Sequence, residues 1–408
     1  MDPEAALAHF SAISLQASTA FSASLTFRHI PAHRVVGEGM PDFIRRLKSE
    51  PSQKRERAIS KFVQRASRYG QALVEDSTVY FFYVGRARRV SVPGEMNGWN
   101  PEADIMSRVR GTHFHYLARE LPRSARIEYK LAVDSTWILD PYNQRIDVGG
   151  SGPNSEVAMP GYSAPKKAKP SREVSHGKLE AMECASKFLK RSHPVFVYLP
   201  HGYGRSGRTY PTLYILDGGD YLSLGMMATV LDNMIAGRRI QPVVAVFVEP
   251  RTNVARANTN KRTTDYTMND LFVDFLAREV RPAIEERYRV STSARKRGIM
   301  GASLGGLIAT YAAYKRPHIF SLCAAQSPSY WWKHGALISM IARGPVKPVR
   351  FYIDSGTMDD SLDTTRAMRD VLRRKHYRFA YAEHPEGHNW GNWRSHIPDI
   401  LEYFWGLR

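Results

Sequence analysis

The segment Gly301-Ala302-Ser303-Leu304-Gly305-Gly306 leaves the chain around it few ways to fold. The run Arg297 to Met300 before it reads as a strand, and Leu304 to Tyr314 after it reads as a helix. A serine in G-x-S-x-G at such a junction sits on a sharp, strained turn that lifts its hydroxyl above a sheet. The glycines remove side chains that would collide with neighbouring backbone. The surrounding sequence has the rhythm this turn requires. Strands are expected at Val195 to Leu199, Thr212 to Leu216, Val243 to Val248, Ser321 to Gln326, Val349 to Asp354 and Arg378 to Glu383. Helices are expected near Tyr221 to Ala236, Met268 to Tyr288 and Thr364 to Lys375. Apolar runs such as Val243 to Val248 suit strands buried on both faces. The alternation predicts a mostly parallel, doubly wound α/β sheet over 176–408.

The first 160 residues follow a different grammar. Residues 1–75 are expected to be helical or partly disordered: no period shows before about residue 35, and from Met40 the apolar positions Phe43, Leu47, Ala58, Phe62 and Ala66 recur at helical spacing across a break at Pro51. Residues 76–160 carry short alternating runs punctuated by Pro93-Gly94 and Asn97-Gly98, the pattern of a small β-sandwich. The Lys-, Pro- and Ser-rich stretch 161–175 reads as an exposed linker.

Composition excludes several classes. Two cysteines, Cys184 and Cys323, cannot build a disulfide scaffold or a four-thiolate metal site. No histidine has the paired spacing of a metal ligand, so neither metal nor cofactor is expected. No run of 18 apolar residues is present, so no membrane span is expected. Asp2 and Glu4 stand where a signal peptide carries cations, which favours a cytoplasmic protein. With 58 Lys and Arg against 39 Asp and Glu, the net charge is +19, but it is spread along the chain, and a nucleic-acid partner is not expected. Nothing in the sequence fixes the oligomeric state.

A serine hydroxyl needs a base, and in α/β-hydrolases the order is Ser, acid, His. His388, in Glu386-Gly387-His388-Asn389-Trp390, follows the last expected strand and is preferred over His384. The acid belongs on the loop Asp354-Ser355-Gly356-Thr357-Met358-Asp359-Asp360; Asp359 is preferred, then Asp360, with Asp354 at the strand end. The oxyanion donors expected are the backbone N–H of Leu304 and one from the loop Asp217-Gly218-Gly219-Asp220, with Gly219 favoured over Gly218.

These residues resemble the esterase D superfamily, which includes enterochelin (ferric siderophore) esterases and the feruloyl and acetyl-xylan carbohydrate esterases. The likeness covers about Val174 to Arg408 and rests on Phe196 to Pro200, Tyr214 to Gly218, Gly301 to Gly306, Gln326 to Trp332, Gly356 to Asp359 and Gly387 to Trp390, in the family's order. It implies a serine carboxylic-ester hydrolase acting through an acyl-enzyme. The substrate would be a small-molecule or glycan ester, with a siderophore-type ester first and a feruloyl or acetyl sugar ester second. It also implies substrate contacts from Asp217, Arg262 or Arg256, Trp331, Trp332, Asn389 and Trp390. The siderophore esterases carry Arg followed by Glu-Leu where this chain has Arg262 followed by Asp265-Tyr266. The segment Gly94 to Asn100 with Tyr129 to Asp134 and Trp137 to Pro141 resembles an early-set, glycogen-binding-like module, in which Trp99, Lys130, Trp137 and Asn154 match glucan-contacting positions. That likeness keeps a non-catalytic glycan-binding protein as a further reading.

Overall fold

A computed structural model describes residues 38–407 apart from residue 71 and residues 164–165, 206 and 252–259. The expectation for residues 1–35 lies outside the described residues. An eight-stranded sheet organises the C-terminal half. Its spatial order is Lys178–Ser186, Arg191–Leu199, Val244–Val248, Thr212–Leu216, Arg297–Ala302, Leu322–Gln326, Arg350–Gly356 and Phe379–His384. The first three pair antiparallel and the rest parallel. Every residue of the four strands Thr212–Leu216, Val244–Val248, Arg297–Ala302 and Leu322–Gln326 is buried, as strands covered on both faces must be. One face packs the helix Leu304–Lys315 and the helical run 270–287; the other packs Met227–Ala236 and Trp390–Trp405. This is the α/β-hydrolase arrangement.

The expected helix Tyr221 to Ala236 is two helices, Gly218–Ser223 and Met227–Ala236, because Met226 between them is left-handed at φ 52°. The sequence reading missed the edge strand Lys178–Ser186, the short helix Arg262–Tyr266 and the helices Trp332–Arg343 and Trp390–Trp405. Lys333 to Gly335 in Trp332–Arg343 are left-handed, and Trp390–Trp405 contains Pro398, so neither of these helices shows an uninterrupted helical pattern.

The N-terminal half is built on period-two strands. In Thr78–Val84, Val79 and Phe81 enter one core, while Phe82, with the partly buried Tyr80 and Val84, faces another. The second core is closed by helices Met40–Ser49 and Ser52–Ala66, whose Phe43 and Phe62 stack at 3.9 Å. All five positions of the expected apolar stripe lie in it. The strands of Leu73–Ala158 form three small antiparallel sheets of four, three and three strands. They do not pair as two continuous sheets, because the chain changes partners at Lys130. Tyr129 and the residues before it pair with Gly152–Ala158, Lys130 donates its N–H to the Pro93 carbonyl, and Leu131–Val133 pairs with Thr136–Ile138. The stretch read as a free linker is tethered: Asn233 donates to the carbonyls of Lys167 and Lys169 at 2.6 and 2.9 Å, and Ala168 is fully buried.

Candidate active site

Ser303 ends the strand Arg297–Ala302 at φ 58°, ψ −122°, and the next residue opens a helix. A β-carbon on Gly301 would lie 2.5 Å from the Gly305 carbonyl carbon, so only glycine lets the turn close. The Ser303 N–H donates to the Gln326 carbonyl on the neighbouring strand at 2.9 Å, which pins the turn. Its Oγ is 3.0 Å from His388 Nε2 and 3.2 Å from Ser329 Oγ.

His388 stands in the irregular stretch between the strand Phe379–His384 and the helix Trp390–Trp405. Its Nδ1 is 2.7 Å from Asp360 Oδ1, and its ring meets Trp393 edge-on at 5.0 Å. The carboxylate bonded to His388 is therefore that of Asp360, not that of Asp359 as expected. The two neighbours face opposite ways. Asp359 is exposed at φ 46°, and a β-carbon on Gly98 would lie 3.5 Å from its Oδ1. The Asp360 carboxylate is fully buried and accepts from the Gly356 N–H, the Ser327 hydroxyl and the Ser361 N–H, each at 2.6 Å. Burial alone would raise its pKa, but the bonds from His388, Ser327 and Ser361 outweigh burial and hold it below the ordinary carboxylate value. Asp354 and His384 lie elsewhere. Burial pushes Asp354 up to about 7. His384 stacks on His396 at 3.3 Å, and burial with that neighbour pushes it down to about 3.

The loop expected to supply an oxyanion donor differs from the expectation at Gly219. The Gly219 N–H donates to Glu249 Oε2 at 3.0 Å and the Asp217 N–H to the Tyr266 hydroxyl at 2.9 Å, so neither is free for a substrate. Gly218 opens a helix, and Leu304 opens the helix behind Ser303; first-turn N–H groups have no intrahelical acceptor.

Ser303 and His388 open into a cleft of about 590 Å³ between the two halves of the molecule. The hydrolase wall carries Arg262, held bidentate by Asp217 at 2.7 and 2.8 Å, and Arg251, bonded to Glu249 and Asp220. The opposite wall carries Trp99, Lys130, Trp137 and Asn154. The two indoles lie nearly parallel, 13° apart, with centroids 6.4 Å apart. Residues expected on a separate glycan surface thus face Ser303. Trp390 and Asn389 also line the cleft, but the Asn389 side chain is engaged in inter-module hydrogen bonds. Trp331 and Trp332 do not line it: Trp331 is half exposed, and Trp332 packs against the sheet core. Arg256 lies outside the described residues. Sequence reasoning missed Ser327, Ser329 and Glu249, although Gln326-Ser327-Pro328-Ser329 is a dense polar run at a buried strand end.

A family model described as "Putative esterase" matches residues 186–404. Among curated proteins, the uncharacterised protein YbbA of Bacillus subtilis is 29% identical over 185 residues, 44% of this chain and 73% of its own length. Among solved structures, the enterobactin esterase of Shigella flexneri superposes with a TM-score of 0.67 at 21% identity, covering 80% of this chain and 92% of that one. A CE1 ferulic acid esterase of Anaeromyces mucronatus superposes with a TM-score of 0.50 at 20% identity, covering 59% and 95%.

Proposed function

The chain belongs to the esterase family, and from that premise we propose that it cleaves carboxylic esters by serine catalysis through an acyl-enzyme. The observation that carries this reading is the unbroken line from Ser303 Oγ to His388 Nε2 at 3.0 Å and from His388 Nδ1 to Asp360 Oδ1 at 2.7 Å. In the proposed reaction, Ser303 Oγ attacks the ester carbonyl while its proton passes to His388 Nε2. Asp360 fixes the imidazole tautomer and stabilises the imidazolium. The tetrahedral oxyanion is met by the N–H groups of Leu304 and Gly218. His388 then returns the proton to the departing alkoxide, the C–O bond breaks, and water repeats the sequence to free the acid and regenerate Ser303.

The cleft supports a bulky small-molecule ester. Its volume exceeds the needs of an acetyl group, its two indoles offer flat faces, and Lys130 adds a cation beside them, while Arg251 and Arg262 are already paired with Glu249, Asp220 and Asp217. The size and the aromatic faces favour a siderophore-type ester, an aromatic substrate. A feruloyl or sugar ester is the second reading, favoured by the paired Trp99 and Trp137 rings.

The test is hydrolysis of a short p-nitrophenyl ester by the protein and by Ser303→Ala, beside ferric and iron-free enterobactin and methyl ferulate. The expected outcome is a loss on the order of 10⁴-fold or more in kcat for Ser303→Ala, with the siderophore esters cleaved faster than methyl ferulate. Equal rates for the protein and the variant on every ester would remove the serine mechanism.

A further inference from the structure

His388 sits on a five-residue stretch, 385–389, that is neither strand nor helix. Its position must come from what the stretch docks against, and on one side that surface is the N-terminal module. The Pro385 carbonyl accepts the Arg126 N–H at 3.1 Å. A β-carbon on Gly387 would fall on the Glu95 carboxylate, and one on Gly391 would fall on the Arg126 guanidinium. The side-chain oxygen Oδ1 of Asn389 accepts from Arg126 Nη1 at 3.1 Å, and its Nδ2 donates to Glu95 Oε1. Residues 385, 387, 389 and 391 thus meet the N-terminal module, while His388 faces Ser303.

The module side of this contact is itself fixed. Arg126 is 2% exposed and Glu95 4%. The Arg126 guanidinium is bonded to Glu156 at 2.8 Å, Glu128 at 3.1 Å and Asp147. Glu95 Oε2 accepts the Glu128 N–H at 2.9 Å. Asp147 reaches across to Arg394 at 2.8 Å, one turn into the helix that follows His388. All three nitrogens of the Arg126 fork are bonded into the network that reaches the residue after His388, and guanidinium geometry makes such a network rigid.

We infer that the N-terminal module is part of the catalytic apparatus, with Arg126 and Glu95 acting as positioning residues that hold the His388 segment in register with Ser303. The inference rests on the serine-hydrolase reading for its kinetic consequence, but the geometry it describes has its own readout.

The experiment compares the full chain with Arg126→Lys, which keeps the buried charge but loses the fork, and Glu95→Gln, which changes no volume. The measurements are kcat and KM on a short p-nitrophenyl ester too small to reach the Trp99 wall, thermal unfolding, and the downfield proton resonance of the His388 N–H bonded to Asp360. The expected result is a fall of at least about tenfold in kcat with KM within about twofold, as for misplaced catalytic groups, together with loss or broadening of the downfield resonance and a single unfolding transition. Folded variants that keep both kcat and the resonance would overturn the inference and leave the network as plain interface. Should Arg126→Lys unfold, Glu95→Gln decides by the same readings. If the parent protein cleaves no ester yet the variants lose the resonance, the positioning role stands and the serine-hydrolase reading falls.

Discussion

Ser303 and Asp360 are held in place by different kinds of force. Ser303 is placed by backbone alone: a strand, a left-handed turn that only flanking glycines allow, and a helix, all within residues 297–315. Asp360 is placed by side-chain and main-chain bonds from Gly356, Ser327 and Ser361, on a loop whose neighbouring residue points away. A site built by backbone writes itself into the sequence as a motif, whereas one set by side-chain direction on an irregular loop, with one donor 33 residues away, leaves only a composition.

The sharpest way to break this comparison is Asp360→Asn. It should lower kcat roughly 10² to 10⁴-fold by disfavouring the working tautomer of His388, while Asp359→Asn leaves kcat unchanged. Steady-state kinetics of both variants decides, and the reverse pattern would restore Asp359. Next is the backbone end. Gly301→Ala forces a methyl into the Gly305 backbone and should cost about 3 kcal/mol of stability, read by urea unfolding, with activity lost as the turn opens.

A smaller effect comes from the pair of rings beneath the acid loop. Burial opposes a charge on His396, but bonds to Asp399 and Glu386 prevail and raise it to about 9. A histidine raised in the folded state stabilises fully below its unfolded value near 6.5 and loses that contribution as pH climbs toward 9. The melting temperature of the protein should therefore fall across that window relative to His396→Gln, by the equivalent of at most about 3 kcal/mol. A parallel pair of curves would exclude it. The mildest prediction concerns the far wall: Trp137→Ala should raise KM about fivefold for an aromatic ester and leave the short ester untouched.

Much of the fold was legible. All seven strands expected in the hydrolase half appear, with ends no more than four residues from those assigned, because apolar runs bounded by Gly, Pro and Asp carry their own limits; the eighth, the edge strand Lys178–Ser186, was not expected. The place of His388 beside Ser303 was legible because chain order singles out the histidine of the last loop. The choice between Asp359 and Asp360 was not, since one residue step on a loop reverses the direction of a side chain and no period governs it. Arg126 was invisible for another reason. In Arg126-Ile127-Glu128-Tyr129 the charged positions alternate with apolar ones, the usual mark of a wet face, yet all four are buried. The partners that make this tolerable, Asp147 and Glu156, lie 21 and 30 residues later, and Asn389, which the same guanidinium reaches, lies 263 residues later.

That separation has a consequence in time. The contacts from Arg126 and Glu95 to Asn389 close loops of 263 and 294 residues. Loops of that length are among the last to form as a chain folds. The strand, elbow and helix around Ser303 can assemble from neighbouring sequence, whereas the stretch that carries His388 is in place only once the two halves have met. Recovery of hydrolysis after dilution from denaturant should accordingly lag behind the recovery of secondary structure.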